Sequence, residues 1–159
     1  FAEKHPQKIK GLCLMNATSN EDDDDRKTLR TRANKMIQNN FTSMVHMSFT
    51  NLFGEQSRLL FKNEINSALE EALQTPIQGY IAAQEGMRIR VNRNAVLTEN
   101  DFKKLLIVGE KDPVLNFKSF AEEAKKTGSE IVVFPNGHMP HIENKTPLVA
   151  TLKNFLKHS

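Results

Sequence analysis

The sequence has no tryptophan, one tyrosine and a single cysteine among its 159 residues. One cysteine cannot form a disulfide within the chain, which excludes a small scaffold held by disulfides. Cys13 lies in an apolar run and is expected to behave as a small buried hydrophobic residue. Because so little cysteine is compatible with a reducing compartment, we expect a cytoplasmic protein.

Long apolar runs and dense basic stretches are also missing. No apolar run approaches the roughly 20 residues that a membrane-spanning helix needs, so we expect no membrane partner. The net charge is only +3, and the richest basic stretch, residues 88–93, holds three arginines. A nucleic-acid-binding surface needs a denser basic stripe with stacking aromatic residues, so we expect no nucleic-acid partner. The remaining composition, 38% hydrophobic and 26% charged, is typical of one globular domain.

Three short apolar runs predict strands that are buried on both faces: 9–15, 105–109 and 131–134. Helical periodicity follows the second and third runs, over 118–126 and 146–157. Alternation of buried strands with helices predicts a parallel sheet with right-handed crossovers, that is, an α/β fold.

Residues 26–104 between the first two predicted strands have helical periodicity throughout. Leu29, Ala33, Met36 and Ile37 are spaced as one face of a helix. This block therefore predicts a small all-helical subdomain.

Methionine and phenylalanine are frequent in that block, notably Met44, Met47 and Phe49. Core packing is one interpretation of this stripe. A pliable apolar pocket is the other, because thioether side chains adapt to varied shapes, and we assign these three residues to substrate binding.

Polar residues follow two of the predicted strands at the point where each strand ends. Glu110 and Asp112 follow the strand at 105–109, and His138 follows the strand at 131–134. Since the carboxyl ends of neighbouring parallel strands meet at one edge, we expect an acid and this histidine to touch. A carboxylate that accepts a hydrogen bond from one imidazole nitrogen leaves the other nitrogen as a base. The Gly-x-x-Asp spacing favours Asp112 over Glu110 as that acid.

The same loop leaves two alternatives open. His138 could be a histidine that merely caps a turn. His138, His141 and Glu143 could together bind zinc, although two histidines three residues apart in a proline-flanked loop are a weak zinc pattern. We expect no metal and no other cofactor.

The segments "LLIVGEKDPV" and "VVFPNGHMPHIENKTPLVATLKNFL" resemble the C-terminal part of the α/β-hydrolase family. In that family the chain order is nucleophile, acid, histidine, and the resemblance selects Asp112 as the acid and His138 as the histidine. "FAEKHPQKIKGLCLMNAT" is similar to the end of the helix after the nucleophile plus the next strand. "GYIAAQEGMRIRVNR" is similar to the lid exit of small esterases and of aminoacrylate-hydrolase-like members.

The resemblance covers nearly the whole chain and implies three parts. Residues 1–18 correspond to the end of the nucleophile helix and the first strand, 19–104 to an inserted helical lid (cap), and 105–159 to the C-terminal core. The implied fold class is the C-terminal part of an α/β-hydrolase, with three parallel strands, flanking helices and an all-helical lid.

The sequence departs from the family in lacking any Gly-x-Ser-x-Gly motif. The resemblance therefore implies a fragment of a serine-type hydrolase that acts on an ester or related bond of a small apolar substrate. Such a fragment carries the acid and the histidine of the triad but no nucleophile, and we expect it to be inactive alone. A non-catalytic interaction module on the same fold and a metal-binding protein using His138 and His141 are the alternatives.

In the family the strand at 9–15 pairs with an earlier strand. An apolar edge strand without that neighbour invites pairing with another chain. We expect a homo-oligomer or strand-swapped dimer through the 9–15 edge, or a partner chain that supplies the N-terminal half.

Overall fold

The computed structural model describes residues 1–157, which form a short 3-10 helix (Pro6–Lys8), three strands and nine α-helices. The strands are β1 (Gly11–Met15), β2 (Lys103–Gly109) and β3 (Glu130–Phe134). The helices are α1 (Asp24–Met36), α2 (Phe41–Thr50), α3 (Glu55–Leu60), α4 (Lys62–Leu73), α5 (Ile77–Ile89), α6 (Asn94–Thr98), α7 (Phe117–Thr127), α8 (Pro140–Glu143) and α9 (Lys145–Lys157).

The three strands form one parallel sheet in the order β1-β2-β3, which confirms the predicted α/β architecture. Leu14 of β1 lies opposite Leu106 of β2, and Ile107 of β2 lies opposite Val132 of β3. The carboxyl ends of all three strands therefore meet at one edge of the sheet.

The central strand β2 is covered on both faces. Leu105 and Ile107 belong to a buried cluster with Leu148 of α9, on one side of the sheet. Leu106 and Val108 belong to a second cluster with Phe120 of α7, on the other side. Side chains alternate across a strand, so a strand between two helical layers must be apolar at successive positions.

The first strand, β1, is less covered than predicted. Leu12, Cys13 and Leu14 are only half-buried, and Met15 is 40% exposed. The prediction that this strand is buried on both faces is wrong for the described residues, because β1 has β2 as its one strand neighbour there. The same prediction is wrong for β3, the opposite edge strand, where Val133 is 42% exposed. Cys13 packs beside the cluster under α9, and its partial burial raises the pKa of the thiol.

Helices α1 to α6 lie between β1 and β2 in the chain and have a core of their own, built from Ile37, Met44, Val45 and Leu69. The predicted apolar face of α1 is only partly right. Ala33 and Ile37 pack into this core, whereas Leu29 and Met36 are exposed. The division into 1–18, 19–104 and 105–159 stays a prediction. Within residues 1–157, no helix is both long enough and apolar enough to cross a bilayer.

Candidate active site

The loops that follow β2 and β3 are joined through their backbones. Lys111 N–H donates to the carbonyl of Asn136 over 3.0 Å. A Cβ atom on Gly109 would lie 2.1 Å from the carbonyl oxygen of Gly137, so only glycine permits this approach. The glycine that ends β2 thus lets the two loops lie in contact.

Asp112 and His138 meet where these loops meet. Asp112 Oδ2 lies 2.7 Å from His138 Nδ1. The Asp112 side chain is fully buried, and the His138 side chain is 20% exposed. Since an ionised carboxylate can only accept, Nδ1 carries the proton, and the neutral ring has its lone pair on Nε2. The structure therefore has the contact that the sequence predicts, whereas the catalytic role of the two residues stays a prediction.

The Asp112 carboxylate accepts four hydrogen bonds. Its Oδ1 accepts from the backbone N–H groups of Val114 (2.7 Å) and Leu115 (3.0 Å). Its Oδ2 accepts from Asn16 Nδ2 (2.8 Å) as well as from His138. Burial by itself would raise the pKa of Asp112, but the bonds from His138, Leu115 and Asn16 outweigh burial and lower that pKa. The carboxylate is therefore held charged and fixed in orientation.

The backbone around His138 is held by groups that the sequence analysis did not assign. Glu143 accepts from Gly137 N–H (3.1 Å) and Met139 N–H (3.0 Å), and His138 N–H donates to the carbonyl of Leu52 (3.1 Å). Leu52 lies between α2 and α3, so the helical block contacts the histidine loop directly. The sequence signal for Glu143 was its place three residues after Pro140, at the end of a one-turn helix that folds back on the loop.

The other candidates lie in different surroundings. Glu110 and His141 are exposed. Glu143 is buried and turned to backbone N–H groups. Among residues 1–157, no group of three or more His, Cys, Asp or Glu side chains is arranged to hold a metal ion.

The predicted substrate-binding residues do not share one environment. Met44 is buried in the core of the helical block, and Phe49 packs against that core and against the Phe53 ring. Met47 is more than half exposed. Core packing therefore accounts for Met44 and Phe49 as the structure stands, and substrate binding by the three residues stays a prediction.

A second buried carboxylate, Asp22, lies just before α1 and was missed at the sequence level. It accepts from Arg30 of α1 and from Arg90 after α5, the latter over 2.7 Å. Burial opposes its charge most strongly, but the two arginines outweigh burial and lower the pKa of Asp22. The sequence signal was the acidic run 21–25, in which Asp22 is one of five consecutive acidic residues.

A third buried carboxylate, Glu123 of α7, holds the chain that leaves β1. It accepts from Ser19 N–H (2.8 Å), from Asn20 Nδ2 (2.9 Å) and from the Thr18 hydroxyl. Asp22 thus joins the two ends of the helical block to each other, and Glu123 ties the start of the block to α7.

The sequence matches no protein-family model and no curated protein. Solved structures with the same fold do match. A thermophilic esterase from Thermogutta terrifontis superposes with a TM-score of 0.90 at 22% identity, over 100% of this chain and 60% of that one. The enol-lactonase from Burkholderia xenovorans superposes with a TM-score of 0.85 at 17% identity, over 98% of this chain and 59% of that one. The 2-hydroxy-6-oxo-6-phenylhexa-2,4-dienoate hydrolase from a Rhodococcus strain superposes with a TM-score of 0.71 at 16% identity, over 98% of this chain and 58% of that one.

These similarities show the fold. The chain has the α/β-hydrolase fold and spans about 60% of the length of the structures it matches. The order of its parts, with an acid after one strand and a histidine after the next, is that of the C-terminal part of the fold.

Proposed function

We propose that this chain is the C-terminal part of a serine-type hydrolase, with Asp112 and His138 as the acid and base of its triad. The observation that carries the proposal is the 2.7 Å bond between Asp112 Oδ2 and His138 Nδ1 at the carboxyl edge of two parallel strands. Three matched structures are named as an esterase, a lactonase and a hydrolase, which supports hydrolysis of an ester or related bond.

In this mechanism His138 moves a proton and Asp112 does not. The hydroxyl of the nucleophile attacks the substrate carbonyl while Nε2 takes its proton, and Asp112 stabilises the imidazolium that forms. His138 then gives the proton to the departing alkoxide, and water attacks the acyl-enzyme with the same nitrogen as base. The serine comes from outside this sequence, because none of its serines lies in Gly-x-Ser-x-Gly. Alone, the chain therefore performs no acyl transfer.

The helical block supports a substrate-selecting lid. It contacts the histidine loop through Leu52, and its Met44, Met47 and Phe49 offer a pliable apolar lining for a small apolar substrate. No cofactor enters the scheme. The single Cys13 supports a reducing, cytoplasmic compartment.

The open edge of β1 supports a partner. Within residues 1–157 the edge of β1 away from β2 has no strand neighbour, and it suits a further parallel strand, supplied by the nucleophile-bearing part or by a second copy through a strand-swapped dimer. Light scattering of the 159-residue chain should show a mass above that of a monomer, and hydrogen exchange should show protected β1 amides. A monomer with an ordered, unprotected β1 edge would contradict this.

The test of the catalytic proposal uses the complete open reading frame that contains this chain. We expect it to encode Gly-x-Ser-x-Gly and its product to hydrolyse a p-nitrophenyl ester. His138→Ala should lower turnover by about 10³–10⁴-fold, the usual size of triad effects. His141→Ala is the matched control, since His141 is exposed on α8 close by, and should change the rate only a few-fold.

Two results would overturn the assignment. An unchanged rate in His138→Ala would remove the histidine from the mechanism. A complete reading frame without any nucleophile motif would favour the non-catalytic interaction module.

A further inference from the structure

We propose that Asn16 is a positioning residue for the acid–histidine pair: its side-chain amide fixes the orientation and the charge of the Asp112 carboxylate. Asn16 directly follows β1 and is not among the site residues that the sequence predicts. Its consequence for catalysis rests on the function proposed above, but its effect on Asp112 can be measured without catalysis.

The contacts of Asn16 join the tips of all three strands. Its backbone N–H donates to the carbonyl of Ile107 over 2.8 Å, which continues the β1–β2 ladder. Its Nδ2 donates to Asp112 Oδ2 over 2.8 Å, the same oxygen that His138 binds. The same Nδ2 lies 3.4 Å from the carbonyl oxygen of Gly137, the residue before His138. One amide thus touches both the acid and the loop that carries the base.

Two local costs accompany this placement. Asn16 has φ of 46°, and within the described residues it is the one non-glycine residue with positive φ. Its Oδ1 is buried and has no hydrogen-bond partner in that part of the chain. Left-handed backbone and unpaired buried acceptors are both unfavourable, and they persist where the surrounding structure enforces them, often at functional sites. Here the left-handed backbone and the unpaired Oδ1 accompany a side chain whose Nδ2 donates to Asp112.

A neutral donor suits this position better than a charged one. An arginine or lysine would pair with Asp112 as an ion and compete with His138 for the carboxylate. An aspartate would place a second negative charge against Asp112. An amide occupies one lone pair of Oδ2 and leaves the other for Nδ1–H, without changing the net charge of the pair.

Among residues 1–157, Asp112 hydrogen-bonds to no titratable side chain other than His138. Arg26 of α1 donates to the carbonyl of Val114, whose N–H binds Asp112. Glu143 of α8 is turned to Gly137 and Met139 N–H, while Glu110 and Lys111 after β2 and His141 of α8 are exposed. A change in the titration of Asp112 on substitution of Asn16 is therefore attributable to the lost contact.

The experiment is a carbon-13 NMR titration of the Asp112 carboxyl in the 159-residue chain. Asn16→Gly removes the amide and still accepts positive φ, so the turn is kept. The Asp112 midpoint should rise by about one pH unit. Asn16→Asp keeps the shape but pairs two carboxylates, and one of the coupled midpoints should rise by about two units.

Asn136→Ala is the matched control. Asn136 lies in the histidine loop, but its Nδ2 contacts Ser57 Oγ (3.4 Å) rather than Asp112. This variant should leave the Asp112 midpoint unchanged. Circular dichroism of each variant confirms that it is folded. Folded Asn16→Gly and Asn16→Asp variants with the wild-type Asp112 midpoint would overturn the proposal.

A kinetic measurement separates this inference from the proposed function. In the complete hydrolase, Asn16→Gly should lower kcat about tenfold with little change in KM, and the pH profile should shift. If the Asp112 titration moves but no variant or wild type hydrolyses esters, the function fails and the role of Asn16 stands. If hydrolysis depends on His138 but Asp112 keeps its wild-type midpoint in Asn16→Gly, the proposed function stands and the role of Asn16 fails.

Discussion

Asp22 and Asp112 both have buried carboxylates, yet their partners differ in kind. Asp22 binds two guanidinium groups, from Arg30 and Arg90, and a guanidinium is a permanent cation in proteins. Asp112 binds a neutral amide, two backbone N–H groups and the imidazole of His138. In both places the bonds outweigh burial and lower the pKa of the acid.

The comparison teaches that burial of an acid does not reveal its role, whereas its partner does. Permanent charges on α1 and after α5 make Asp22 a clamp that joins the two ends of the helical block. The partner of Asp112, His138, is a titratable imidazole whose side chain is 20% exposed. The Asp112–His138 pair can therefore exchange a proton with a molecule outside the protein. The first arrangement suits stability, and the second suits chemistry.

The largest expected effect is a difference in the free energy of unfolding between variants of the two acids. Asp22→Asn leaves two guanidinium groups facing an amide, so we expect the free energy of unfolding to fall by about 3 kcal/mol. Asp112→Asn can still accept from the backbone N–H groups of Val114 and Leu115, so its cost should be about 1 kcal/mol. Urea denaturation at neutral pH measures both. Equal costs would break the comparison.

An effect of intermediate size is expected on the stability of the fold at low pH. A carboxyl whose folded pKa lies below its ordinary value of 3.8 stabilises the fold above that pH, and loses this contribution as pH falls through the folded pKa. We therefore expect wild-type stability to decline below pH 3.8, with both acids contributing. In Asp22→Asn the decline should be shallower, which urea curves between pH of about 5 and about 2 can measure. A decline of the same slope in wild type and variant would exclude Asp22 as a contributor.

The smallest effect is the control for charge at the surface. Lys27 lies 3.5 Å from Glu21 with both side chains partly in solvent. Lys27→Gln should change the free energy of unfolding by less than about 0.5 kcal/mol, because exposed pairs gain little over water. A loss comparable with that of Asp22→Asn would mean that the acidic run stabilises α1 by general charge and not through Asp22.

Much of the sheet was predictable because it depends on local pattern. The apolar runs at 105–109 and 131–134 correspond to β2 and β3, and the Gly-x-x-Asp and Gly-His spacings bring Asp112 and His138 to one edge. Parallel strands place their ends together by topology alone, so the contact needed no knowledge of packing.

The helical block and β1 were predicted less well. Periodicity placed Met36 with Ile37 on one face, but Met36 is 54% exposed, whereas Ala33 and Ile37 pack into the core of the helical block. The run at 9–15 is apolar enough for a central strand, whereas β1 has one strand neighbour within residues 1–157. Apolar pattern reports what a segment can bury, and the neighbours decide what it does bury.

By itself, the sequence determined the parallel strands and the acid and histidine at their tips, because these follow from spacing along the chain. Only the tertiary structure decided that Asn16 shares the Asp112 oxygen with His138, that Glu143 holds the histidine loop, and that Asp22 lies between two arginines. The physical reason is distance in the chain: Asn16 and Asp112 are 96 residues apart, and no local pattern carries their separation in space.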